Sequence, residues 1–319
     1  MRRVYIMENV KATADQTVIT SLEIKREKKQ KWRKKAIGWF FIVPGLLFHI
    51  LAVAIPAAMS LYLPFTEWNG LNTPIFIGME NFKEAFQDEV VLTALFNNIK
   101  WAIFWVTIPL IFAFIVAYLL KKVKRGQTLY QATFFSTSII TVTVAGQIWF
   151  WIYNPFSGVN FYLDKAGLKF LEWPGLTIPA LALFSVLIAD MWKGFGTNVI
   201  WLLAAMTQTD KSLEEAARIE GANRFQVMWH ILLPQLRPTL TVITLLTILG
   251  SFGAFEMVYV MTAGGPAHAT ETLSTYYYSL STTGRRAGYA SAVALFQTFI
   301  AFIIIIIFAY LRKKKGWDV

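Results

Sequence analysis

The sequence predicts an all-α integral membrane protein with six transmembrane helices, and three observations lead there. Of 319 residues, 56% are hydrophobic and only 15% charged, which is more apolar than a soluble domain. The apolar residues gather into six blocks, near 37–63, 99–120, 131–153, 177–206, 238–262 and 289–311. About 20 apolar residues at ~1.5 Å each cross a ~30 Å hydrocarbon core. The basic residues then alternate with the blocks. Of 30 Lys and Arg, 11 lie in 1–36, four in 121–125, four from Lys211 to Arg237 and four in 312–315. With six alternating spans these 23 share one side, while Lys83, Lys100, Lys165, Lys169, Arg285 and Arg286 fall on the other. This bias places both termini and the segment 207–237 in the cytoplasm.

Each element follows in order. Residues 21–35 form a charge run whose simplest reading is a tail attracted to anionic membrane lipid. It has no apolar core followed by a small-residue cleavage site, so no cleaved signal peptide is expected. The first span carries Pro44 and Pro56, tolerated where neighbours satisfy the freed carbonyls. Pro64, Asn69-Gly70 and Pro74 read as turns, followed by a short amphipathic helix over 79–88. The outer loop holds Glu67, Glu80, Glu84, Asp88 and Glu89, an acidic set. The second span is uncharged from Trp101 to Leu120. Asn154-Pro155 and Pro174-Gly175 bound the next outer loop, and Gly264-Gly265-Pro266 ends the fifth span. Trp149, Trp151 and Tyr153, and then Tyr276, Tyr277 and Tyr278, read as interfacial belts; aromatic faces also stack on sugar rings.

Several chemistries are set aside. The net charge of +11 is spread by topology and not gathered as a nucleic-acid footprint. There is no cysteine, and His49, His230 and His268 lie in separate segments, so no metal-ligand spacing occurs. No Gly-x4-Gly-Lys-Ser/Thr phosphate loop is present, so the chain is not expected to hydrolyse ATP.

The polar segment between the fourth and fifth spans reads as two short helices. Ser212 and Glu215 have the form of a capping box, and Glu214 and Glu215 suit the positive end of a helix. Gly221 fits the left-handed position that ends it. A second helix over 225–232 is expected to stop at Pro234, with Pro238 opening the next span. The spacing Glu215-Ala216-Ala217, three residues, Gly221, nine residues, Ile231, one residue, Leu233-Pro234 resembles the coupling loop of ATP-binding-cassette (ABC) import permeases. Thr262-Ala263-Gly264-Gly265-Pro266 and Gly288-Tyr289-Ala290-Ser291-Ala292 match further motifs of those permeases. Asn97-Asn98 stands where they usually carry Asn-Thr, so Asn98 departs from the pattern.

Over about 97–311 the chain thus resembles the permease domain of type I ABC importers, and as a whole it is similar to carbohydrate-uptake permeases of the maltose-transporter class. The resemblance implies a basic tail, 1–36; a first transmembrane helix with a short outer loop, 37–96; a permease domain of five transmembrane helices, 97–311, with its coupling loop at 207–237; and a tail, 312–319. It also implies that Glu215, Ala216, Ala217 and Gly221, with Arg224 and Phe225 beside them, dock in the cleft of a separate ATPase. ATP and Mg would be bound there and no cofactor on this chain. The implied partners are a homologous second permease subunit, two ATPase subunits, an extracytoplasmic solute-binding protein and a carbohydrate, at a bacterial cytoplasmic membrane. The large outer domain of the maltose permease is missing.

Charges inside a span cost ~2.5–3.5 kcal/mol on insertion scales, so they face protein or a water-filled cavity. Asp190 and Lys193, three apart on one helix, and Glu256 in the fifth span therefore mark a candidate solute path with Trp192. Carboxylates accept hydrogen bonds from sugar hydroxyls, and Lys193 suits an acidic sugar; alternatively Asp190 and Lys193 neutralise each other. The rival function is an ion-driven secondary transporter with Asp190 and Glu256 as relay groups. The rival substrates are polyols and glycerol phosphates.

Overall fold

The computed structural model describes residues 37–314, together with Trp32 and Lys35. The basic-tail reading therefore lies outside the described residues apart from those two. The described residues fall into two compact units, divided between Leu61 and Tyr62.

The first unit is helical. Helix α1, Ile37–Phe65, begins in this unit and is exposed from Ile37 to Tyr62, with Phe40, Phe41, Phe48 and Leu51 among its bare side chains. A helix apolar all round suits lipid. Its turn over Ile50–Ala54 widens to a π-helix directly before Pro56, whose ring denies the helix an N–H.

The second unit opens with a small antiparallel ladder, β1 Thr66–Glu67 and β2 Ile75–Phe76, with Thr66 opposite Phe76. Between them Asn69 Oδ1 accepts from the amides of Leu71 (2.9 Å) and Asn72 (3.0 Å), an Asx turn at the expected Asn-Gly. The amphipathic helix forms as α2, Glu80–Gln87. Helix α3, Glu89–Lys121, runs 33 residues, well past the apolar block that predicted it. Asp88 caps its start. Asp88 Oδ1 accepts from the Val90 amide (2.8 Å), and Oδ2 accepts from the hydroxyls of Tyr276 (2.6 Å) and Tyr289 (2.8 Å). Burial pushes the Asp88 carboxyl up, but Tyr276, Tyr289 and the amides of Val90 and Val91 outweigh it and hold it below its usual range. Tyr276 therefore belongs to a built hydrogen-bond cluster.

The third apolar block is not one straight helix. It divides into α4, Gln127–Ile139, and α5, Val142–Ile152, which meet at 90°. Ile140 and Thr141 both take extended backbone, and the Thr141 hydroxyl accepts from the Val144 amide (3.4 Å), capping the new helix. A short helix, α6, Val159–Lys165, follows in the loop. Helix α7, Pro179–Thr207, then covers the fourth block.

The polar segment forms α8, Lys211–Ile219, and α9, Arg224–Gln235. Its caps differ from expectation. Asp210, not Ser212, caps α8, accepting from the Ser212 amide at 2.8 Å. The capping box belongs instead to Asn223 and Gln226 at the start of α9. Pro234 does not stop α9; the turns over Val227–Leu232 widen to a π-helix just before it, as they do before Pro56.

The fifth block is also interrupted. Helix α10, Arg237–Phe252, lies at 70° to α9 and ends ten residues early; α11, Glu256–Met261, is separate. Carbonyls left free inside a membrane must find internal donors. Here Asn98 Nδ2 donates to the Ser251 carbonyl, Gln297 Nε2 to Phe252 and Thr272 Oγ1 to Ala254, each at 2.8 Å. Asn98 is the residue that departs from the family pattern, and its Oδ1 also accepts from the Leu273 amide at 3.0 Å. Helices α12, Leu273–Thr282, and α13, Ala287–Lys314, complete the unit.

Among the described residues, four helices are long and apolar enough to cross a membrane, or up to six if each bent pair is one span. Of the core clusters in the second unit, two join α3 to the helices that line the cavity and the hairpin. Trp101, Phe104, Ala145, Leu183, Val186 and Met257 join α3, α5, α7 and α11. Ala113, Ala117, Leu120, Leu202, Met206, Leu232 and Ile243 join α3, α7, α9 and α10. The alanines permit close helix approach.

Candidate functional site

Two places in the second unit gather the residues that sequence singled out. The first is a cavity of about 550 Å³. Helix α3 contributes Trp101 and Trp105, α7 contributes Asp190, Gly194, Thr197, Asn198 and Trp201, and the break after α10 contributes Gly253, Ala254, Phe255 and Glu256. Asp190 Oδ2 accepts from Trp105 Nε1 at 2.8 Å. Gly194 makes room for that indole: a Cβ there would lie 2.6 Å from the Trp105 ring. Asn198 is only 7% exposed.

The cavity brings Asp190 and Glu256 to one wall and leaves Trp192 and Lys193 off it. Trp192 packs edge-on against Trp149, 6.0 Å between ring centres. The Lys193 carbonyl accepts from Ser138 Oγ at 3.1 Å, which ties α4 to α7. Asp190 and Lys193 are not in salt-bridge contact, but the Lys193 charge acts on the Asp190 carboxylate through space, and the indoles of Trp105 and Trp101 donate to it. Glu256 does not stand within a span but opens α11, exposed, in its first turn. Sequence reading missed Trp101, Trp105, Asn198 and Trp201. The signal was present: 190, 194, 197, 198 and 201 form one polar, small or aromatic stripe at helical spacing.

The second place is the α8–α9 hairpin. Gly221 has φ +89°. Its amide donates to the Arg218 carbonyl (3.1 Å), and the Ala222 amide donates to that of Ala217 (2.9 Å), a closure of the Schellman kind. Glu215, Ala216, Gly221, Arg224 and Phe225 are exposed, and Ala217 is half-buried. Ile219 is 88% exposed and Phe225 64%; apolar side chains bared on a polar knob mark an interaction surface. Glu214 points the other way. It is buried, and its carboxylate meets Lys121 Nζ at 2.5 Å and Arg218 at 3.6 Å. Gln235 Oε1 accepts from the Asp210 amide at 2.9 Å, so the hairpin is fastened at both ends. Sequence reading treated Glu214 only as a charge suited to a helix start.

Motifs outside the cavity and the hairpin have physical roles as well. Gly264, at φ +88°, lies where any Cβ would strike the Glu271 carboxylate. Thr270 Oγ1 donates to the Gly265 carbonyl at 2.7 Å, and Asn97 Nδ2 donates to the carbonyls of Ala269 (3.0 Å) and Glu271 (2.9 Å). Gly288 lets α13 approach the ladder, its amide donating to the Trp68 carbonyl at 2.9 Å.

Residues 30–316 match the family described as binding-protein-dependent transport system inner membrane component. The chain belongs to that family. As such an inner membrane component it is similar to the probable ABC transporter permease protein YurN of Bacillus subtilis, 33% identical over 82% of this chain and 91% of the relative. It is also similar to AmyD of Thermoanaerobacterium thermosulfurigenes, named a probable starch degradation products transport system permease protein. That match is 29% identical over 90% of this chain and 98% of the relative. Its fold is that of a chain in the crystal structure of a bacterial ABC transporter involved in the import of the acidic polysaccharide alginate. The TM-score is 0.75 at 21% identity, over 92% of this chain and 99% of the other. The inner membrane component fold is therefore the one expected from the motifs, with bends at the third and fifth blocks.

Proposed function

We propose that the chain is the permease subunit of an ATP-driven importer that moves a sugar or oligosaccharide across the bacterial cytoplasmic membrane by alternating access. The observation that carries this reading is a mechanical link. Helix α3 bears the cavity residues Trp101 and Trp105 and ends at Lys121, which grips Glu214 of the hairpin. The 16 residues from Trp105 to Lys121 span ~24 Å of continuous helix, with Pro109 within it. A push on the exposed surface of Glu215, Ala216, Ala217, Gly221, Arg224 and Phe225 would thus be carried to the cavity. That surface docks an ATPase subunit, which binds ATP and Mg; a second permease subunit, a second ATPase and an extracytoplasmic solute-binding protein complete the assembly. A relative named for starch degradation products, and an alginate importer of the same fold, support a saccharide over a polyol or glycerol phosphate.

Reconstituted with its partner subunits in vesicles, the chain should support saccharide accumulation that needs ATP and the binding protein. Accumulation should persist when proton and sodium gradients are collapsed. Uptake that ignores ATP and stops with ionophores would establish the ion-driven alternative.

Both termini and the hairpin face the cytoplasm in this reading. The chain has no cysteine, so Gln87→Cys and Ser281→Cys, both at exposed positions, should react with an impermeant thiol reagent on intact cells. Ile219→Cys should react only after lysis. Labelling of Ile219→Cys on intact cells would invert the orientation.

A further inference from the structure

The lining of the cavity carries information on substrate charge. Among the described residues its ionisable side chains are Asp190 and Glu256, and no lysine, arginine or histidine lines it. Lys193 would be the natural partner for an acidic sugar, but it is off the wall. Glu256 is exposed and has no hydrogen-bond partner or ion pair among the described residues. Asn198 lines the cavity, and its side chain makes no hydrogen bond among the described residues, so its amide is open to water or to a solute there. Trp101, Trp105 and Trp201 also line the cavity, and aromatic rings suit the apolar faces of a pyranose. About 550 Å³ falls within the ordinary range for small-molecule sites.

We infer that this cavity takes a saccharide without anionic substituents and discriminates against uronic and phosphorylated sugars. The inference rests on the reading of the cavity as the solute path. Sugar hydroxyls donate to Asp190 Oδ1 and to Glu256, and Asn198 both donates to and accepts from the same ring. A uronate or phosphate brings a third negative group beside two carboxylates, and the like charges repel. An ammonium substituent, as on an amino sugar, meets no such penalty. At the outer loops Arg286 is engaged by Glu84 at 2.6 Å, and the recess that it shares with Arg285 also holds Glu67 and Glu80, so carboxylates outnumber guanidinium groups there.

The test uses the full-length chain assembled with its partners in lipid nanodiscs. It is offered a library of neutral, amino and anionic oligosaccharides, including galacturonate oligomers and their methyl esters, which share a skeleton and differ in charge. Binding is read by quenching of tryptophan fluorescence. Neutral or amino sugars should lead, and each methyl ester should bind at least about tenfold more tightly than its acid. Glu256→Gln should move the acid-to-ester ratio toward unity by about tenfold. That shift isolates this chain's wall from any charge a partner supplies. A bound set led by uronates or phosphates, or a ratio that Glu256→Gln and Asp190→Asn both leave unmoved, overturns the charge inference while the path reading stands. A library in which nothing binds overturns the path reading itself.

Discussion

A chain carrying Gly221→Val is expected to insert and stay folded, yet to lose about nine-tenths or more of its copurifying ATPase. The effect comes from the backbone alone. Gly221 sits at φ +89° with open space where a Cβ would stand, since nothing lies within 4 Å. A side chain in left-handed backbone costs ~1–2 kcal/mol, and a β-branched one resists it most. Relaxing the turn would break the bonds from Gly221 to Arg218 and from Ala222 to Ala217. It would also swing Ile219 and Phe225 out of their shared surface. A loss of about 1.4 kcal/mol is tenfold in affinity. The series Gly, Asn, Ala, Val should therefore weaken retention in that order, since asparagine tolerates left-handed backbone best among the replacements. Normal retention and normal coupling in Gly221→Val would remove the docking assignment.

Why that turn was legible in the sequence, while much else was not, has physical causes. Gly221 ends a helix by a local rule: the residue that tolerates positive φ stands where positive φ is needed. The helix identities of the apolar blocks were legible for the same reason, because burial in lipid is a sum over one segment. Continuity within a block is different. The break after Phe252 is satisfied by Asn98, Gln297 and Thr272, and the Asn98–Ser251 bond joins residues 153 apart. No window along the chain contains both partners. Asp190 stood out because a charge in a span must face something, but its neighbours on the wall did not. Three residues of helix turn by ~300°, which sets Lys193 ~60° from Asp190 on one side, while Gly194 lies ~40° on the other. The wall follows Gly194 because the Trp105 indole needs the space that its missing side chain leaves. Trp101 and Trp105 were hidden by ambiguity of type, since tryptophan reads equally well as core, belt or ligand platform. The capping of α8 was misplaced because Asp210, Ser212 and Glu215 all suit a helix start, and only geometry chooses among them.

Glu214→Gln and Lys121→Met should each uncouple ATP hydrolysis from uptake. Glu214 is 8% exposed and its carboxylate meets Lys121 at 2.5 Å. Taking one partner from a buried pair leaves the other charge in a poor environment, at a cost of ~3–5 kcal/mol. The hairpin would then be held less firmly to the end of α3: Lys121→Met also removes the bond to Thr209 Oγ1 (3.1 Å), and the bond from the Tyr118 hydroxyl to the Arg224 carbonyl (3.3 Å) remains. The expected reading is a complex that assembles, hydrolyses ATP at or above the basal rate, and accumulates less than about a tenth of the normal solute. Thermal unfolding should fall by several degrees in both single variants. The double variant Lys121→Met with Glu214→Leu separates the two functions of the pair. Apolar replacements of similar volume often match or exceed a buried ion pair in stability, so its unfolding temperature should return to near that of the parent. If coupling returns with it, the pair acts as a fastening whose chemistry is immaterial. If stability returns and coupling does not, the charge itself is read during the cycle. Either result keeps the pair in the transmission path from hairpin to cavity. Single variants that transport at the parental rate would take it out.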